Sequence, residues 1–159
     1  MLNSFYSLFK SMITDFKKVN DKNHFEEIMV NENLKEQRKQ DFNSMVGVLN
    51  NTFYENADLY VYNFKTIENS NDDNEILLCF HNDRLVHAII QLFYRHEVDA
   101  INNVDPIIQL LKEVSKVEYN YEESKSYKAW RTKENLDFRV SQNYNTIAIY
   151  IFDVDNFRI

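Results

Sequence analysis

The run EILLCFHNDRLVHAIIQ, residues 75–91, constrains the fold more than any other stretch of the chain. Two apolar segments flank His81-Asn82-Asp83-Arg84. Asn and Asp accept the positive φ that a two-residue type I′ hairpin turn demands at both central positions. With Asn82-Asp83 as that turn, Phe80 faces Leu85, Cys79 faces Val86, Leu78 faces His87 and Ile76 faces Ile89. One strand face then carries Ile76, Leu78, Phe80, Leu85 and Ile89. The other carries Leu77, Cys79, Val86, Ala88 and Ile90. Both faces are apolar, which places the hairpin centrally in a sheet with cover on each side.

Around this hairpin the hydrophobic pattern lays out helices first and strands later. Leu2, Phe5, Phe9, Met12, Phe16 and Val19 recur at spacings of three and four, so residues 2–19 read as an amphipathic helix docked on the core. Residues 24–30 are ambiguous between helix and strand. Phe42, Met45, Val46, Leu49 and Phe53 fit a second helix over 33–54, with Gly47 inside it. Residues 58–67 alternate as a strand, with Tyr60, Tyr62 and Phe64 on one side and Leu59 and Val61 on the other. A polar, acidic loop follows at 68–74. Asp105 as N-cap and Pro106 as first helical residue start a third helix over 105–117, with Val98–Asn103 as a short preceding turn of helix. Residues 119–122 read as a short strand. Residues 127–132, 136–140 and 146–152 complete the β pattern, with Asp137 and Arg139 on a wet face and 146–152 interior.

The elements repeat a plan: a helix, then a three-stranded antiparallel meander, over 33–95 and again over 96–159, behind an N-terminal helical segment, 1–31. The expected fold is therefore α+β, one domain over 1–159, with two such units sharing one core. The plan resembles the BamE/SmpA-like helix-plus-meander domains. A tandem pair resembles the β-lactamase-inhibitor-protein architecture, and residues 105–152 carry the nearest thing to a motif. BamE members are lipoproteins with a signal and an acylated Cys, which this chain lacks, so no functional residue transfers. The resemblance implies a class of domains that bind other proteins through the sheet or its loops.

Composition narrows the chemistry. With one Gly and one Pro in 159 residues, phosphate-cradling loops and dinucleotide fingerprints are excluded. A net charge of −7 argues against nucleic acid and suits a basic protein partner. The single Cys excludes an intramolecular disulfide and fits a reducing compartment. The first residues lack the basic start and continuous apolar run of a secretory signal, and no run is long enough to span a bilayer. The expected location is cytoplasmic, in a bacterium or phage with an AT-rich genome, and no membrane partner is expected.

Candidate chemistry resolves to binding. The four His are scattered, and Cys79 with His81 lacks the third ligand a zinc site needs. Cys79 sits mid-strand in an apolar run, where a thiol is inert. Asp153-Val154-Asp155 has no calcium-loop spacing. No catalytic, cofactor or metal residue is therefore named. The reading is a non-catalytic protein-binding module, most simply an acidic immunity protein or inhibitor occluding a basic toxin or enzyme. Its expected contact residues are Tyr60, Tyr62, Asp72, Asp73, Trp130, Arg131, Asp137 and Arg139. One alternative is a structural accessory protein of a phage or secretion system, assembling as a homodimer through helix 2–19. Another is an enzyme or ligand-binding domain with a pocket between helix and sheet.

Overall fold

In a computed structural model, residues 2–32, 34–46, 53–64 and 74–156 are described. The fold is α+β. In chain order the described elements are α1 (Leu2–Asp15), α2 (Lys22–Asn31), β1 (Lys35–Val46), β2 (Phe53–Phe64), β3 (Asn74–His81), β4 (Arg84–Phe93), α3 (Glu97–Ser115), β5 (Val117–Glu123), β6 (Tyr127–Thr132), β7 (Leu136–Asn143) and β8 (Thr146–Asp153). The strands form one antiparallel sheet of eight, in the order β1-β2-β3-β4-β8-β7-β6-β5. Two meanders thus meet where β4 pairs β8.

The helix expected over 33–54 is corrected. Residues 35–46 are a strand, β2 begins at Phe53, and Gly47 lies outside the described residues. The Lys, Glu and Gln of KEQRKQ are good helix formers, but β1 pairs β2 from Lys35↔Asn63 to Val46↔Phe53. Helix propensity yields to such pairing at a sheet edge. The expected unit of one helix and three strands is not what the sheet contains, since each meander has four strands.

The helices also shift. Asp21 caps α2, its side chain accepting the Asn23 N–H at 3.0 Å, so the ambiguous 24–30 segment is helical. α3 starts at Glu97, not at Asp105, and Pro106 lies inside it on the exposed side. The pyrrolidine removes one interior N–H but does not stop the helix.

The central hairpin has the expected turn: Asn82 and Asp83 sit at φ 53 and 62. Its register is different. Phe80 pairs Leu85, but Cys79 pairs His87, Leu78 pairs Ala88 and Ile76 pairs Ile90. Val86 is the extra residue of a β-bulge. A one-residue slip exchanges the two faces of everything beyond it. Ala88 and Ile90 therefore join the main core, and His87 and Ile89 turn to the other side.

That core lies between the sheet and α1, α2 and α3. Leu8, Phe9, Met12 and Ile13 of α1, Phe16 just past its end, Phe25 and Met29 of α2 and Ile107, Ile108 and Leu111 of α3 cover it. Beneath them run cross-strand rows read from the pairing, such as Trp130–Phe138–Ile151–Ala88–Leu78–Tyr60. Trp130 stacks on Phe138, centroids 5.2 Å apart, and donates Nε1–H to Ser115 Oγ at 3.2 Å. The described part of the α1 stripe, from Leu8 to Ile13, is thereby occupied within its own chain. Past the end of α1, Lys17 pairs with the buried Asp153 at 3.1 Å and with Asp155, tying the helices to the end of β8.

Candidate functional site

The sheet face opposite the helices carries a different row: Tyr119–Arg131–Asp137–Phe152–His87–Cys79–Leu59. The next row holds Ala129–Arg139–Tyr150–Ile89–Leu77–Val61. Strand alternation sets these rows: on β7 and β8 the neighbours Phe138, Val140, Ile149 and Ile151 belong to the helix-covered core. A small second cluster of Cys79, Val86 and Phe152, with Leu59 and Tyr150 against it, seals the middle of this face.

Asp137 organises the β5–β7 side. It is buried, and Tyr121 donates its phenol hydrogen to Oδ1. Arg139 donates to Oδ2 from Nε at 3.3 Å and Nη2 at 3.1 Å. Arg131 reaches the same oxygen only at 3.9 Å, and its buried Nε has no hydrogen-bond acceptor among the described residues. Arg139 also lies over the Phe152 ring at 5.3 Å, a cation–π contact. Phe152 in turn meets His87 in a tilted contact, centroids 4.4 Å apart, and stacks with Tyr150 at 6.4 Å. Burial, helped by the Asp137 hydrogen bond, pushes the Tyr121 hydroxyl up to about 12, so it stays a donor. Burial and then the Arg139 charge bring His87 down to about 3, which keeps it neutral at neutral pH.

β5 forms the rim. It is a sheet edge with two register shifts, and residues 118–123 are all exposed. Tyr119 and Tyr121 stand there with ring centroids 6.3 Å apart, among Glu118, Glu122 and Glu123. Bulges and charge are devices that stop an edge from pairing with another strand. The two tyrosines thus present side chains, not a free ladder.

Of the contact residues expected from sequence, Arg131, Asp137 and Arg139 come together on this face. Tyr60, Tyr62 and Trp130 are core residues under the helices, the other reading that a two-sided apolar strand allows. Asp72 and Asp73 lie outside the described residues. Sequence reasoning missed Tyr119 and Tyr121; the signal was a Tyr-x-Tyr alternation inside an acidic run.

Other chemistries find little material. Among the described residues no group of three or more His, Cys, Asp or Glu is arranged to hold a metal. The Asp153-Val154-Asp155 carboxylates take Lys17 and Asn135 as partners, not an arrangement for a cation. Burial raises the Cys79 thiol to about 12, leaving it protonated. A cavity of about 50 Å³ lies between α1, α3 and the β6–β7 turn, lined by Thr14, Lys18, Ser115 and Glu134 among others. That is room for water, far below the several hundred Å³ of a ligand pocket. No described helix is long and apolar enough to cross a membrane. No family model, no curated protein and no solved structure matches the chain.

Proposed function

We propose that the chain is a non-catalytic protein-binding module and, within that class, a small immunity protein or inhibitor that occludes a basic toxin or enzyme in the cytoplasm. The observation that carries this reading is the Tyr119–Tyr121–Arg131–Arg139–Tyr150 surface. Tyr and Arg supply most of the binding energy in protein interfaces. Here Tyr121 and Arg139 are held in place by Asp137 before any partner arrives, which lowers the ordering cost of association. Arg131 lies beside Tyr119 in the same cross-strand row. The chain's charge of −7 would speed encounter with a basic target.

The same reading takes the two meanders, each behind a helix, as two related units joined at β4–β8. The mirrored strand order supports it.

The test is capture with the immobilised chain from cells that express it, followed by an activity assay of the captured protein. One basic protein should be retained, its activity should fall when the chain is added, and Tyr121→Ala with Arg139→Gln should release it. Capture unaffected by both substitutions, or no specific protein retained at all, would sink the reading.

A further inference from the structure

Three large apolar side chains stand in solvent near one end of the sheet: Tyr144 is 73% exposed, Val98 56% and Ile101 47%. Val98 and Ile101 are one turn apart on α3 and share a side of it. Tyr144 is the first of the two residues that join β7 to β8. Two hydrogen bonds fasten that turn to the approach of α3. Tyr94 N–H donates to the Asn145 carbonyl at 2.8 Å, and Asn145 Nδ2 donates to the Tyr94 carbonyl at 2.8 Å. The hairpin tip is therefore fastened to the segment that leads into α3.

The fold gives no reason for a tyrosine at that tip. Tyr144 has φ 53, where a β-carbon is crowded and glycine is the usual solution. Its ring packs little, being mostly in water. A bulky residue kept in a strained and exposed position points to contact with something outside the chain.

The surroundings name the occupant's charge. Glu97 and Asp105 are exposed and Asp99 half-buried, and Asp105 falls one turn beyond Ile101 on the same side. Arg95 is the only Lys or Arg between positions 94 and 105. A second copy of this chain would set these acids against their own kind, so complementarity selects a basic partner. Given the protein-binding reading above, we infer that the β7–β8 tip and the first turns of α3 form the docking surface for a basic protein segment. Tyr144, Val98 and Ile101 are its apolar anchors, and Glu97, Asp99 and Asp105 meet the segment's Lys or Arg side chains.

The test uses a phage-displayed random peptide library selected on the immobilised full chain, with affinities of the selected peptides measured by calorimetry. The peptides should combine Lys or Arg with aliphatic or aromatic residues, and should weaken as salt rises. Affinity should fall by about tenfold or more on Tyr144→Gly, and likewise on Val98→Ser with Ile101→Ser. Glu27→Gln, an exposed change on α2, should leave it unaltered. Glycine suits the φ of the turn, so Tyr144→Gly keeps the fold, which thermal unfolding verifies. An acidic or uncharged consensus, affinity indifferent to Tyr144→Gly, or no enrichment overturns the inference. Peptides that ignore Tyr144→Gly but are lost on Tyr121→Ala overturn this placement and leave protein binding standing; no enrichment together with an empty capture overturns both.

Discussion

Arg139 grips Asp137 from two residues away on the same strand, with Nη2 3.1 Å and Nε 3.3 Å from one carboxylate oxygen. Tyr121 closes the other oxygen from β5. Removing the carboxylate leaves a half-buried guanidinium and a phenol without their acceptor. Asp137→Ala should therefore cost about 2–3 kcal/mol in urea unfolding, more than an ordinary surface change. Stability within about 0.5 kcal/mol of wild type would mean that the cluster does not hold β5 to β7.

Trp130 ties the sheet to α3 through its stack on Phe138 and its bond to Ser115. Trp130→Ala should lose about 3–5 kcal/mol, the usual cost of emptying an aromatic site in a core. Ser115→Ala, which leaves the indole N–H without its acceptor, should lose about 1 kcal/mol. The pair is read by denaturant midpoints with unchanged slopes. A small effect of Trp130→Ala would place the ring at a surface instead.

His87 gives the chain an acid sensitivity. Burial and the Arg139 charge hold its folded pKa near about 3, against 6.5 for a free imidazole. As pH falls below 6.5, the unfolded chain takes the proton and the folded one does not. Stability is therefore full above that value and declines through the window down to about 3, by up to about 1.4 kcal/mol per pH unit. Unfolding free energies near pH 7 and about pH 5 should show a smaller loss for His87→Phe than for wild type. Equal losses would show that His87 is not kept neutral by the fold.

The β3–β4 turn carries two non-glycine residues at positive φ. Asp83→Gly should raise stability or leave it level, within about 1 kcal/mol, by relieving that strain. Asn82→Val should lower it by about 1–2 kcal/mol, because a β-branched residue resists the left-handed region. Melting temperatures order the three proteins. Asn82→Val melting with wild type would contradict a type I′ geometry.

The same turn marks the boundary of what the amino-acid pattern could convey. Asn-Asp between apolar runs announces its geometry, but the bulge at Val86 leaves no trace. Both faces of β4 are apolar, so slipping one residue exposes nothing polar and the pattern has no preference. Tyr60 and Tyr62 illustrate the same ambiguity, since Leu59 and Val61 opposite them are equally apolar. Asp137 and Arg139 were legible because they alternate with Leu136, Phe138 and Val140, which fixes the wet side. β1 was not, because KEQRKQ prefers a helix in isolation and becomes a strand only by pairing with β2. The start of α3 was misplaced because Asp105-Pro106 is a strong start signal that the helix passes through.

The surface proposed to meet a partner is the helix-free side of β5–β7. Hydrogen–deuterium exchange of the full chain, alone and with the captured partner, tests it most directly. Exchange should slow at Tyr119–Tyr121, Arg131 and Asp137–Arg139, with α1 and α2 unchanged. Protection confined to α1 and α2, with β5–β7 exchanging as in the free chain, would contradict it.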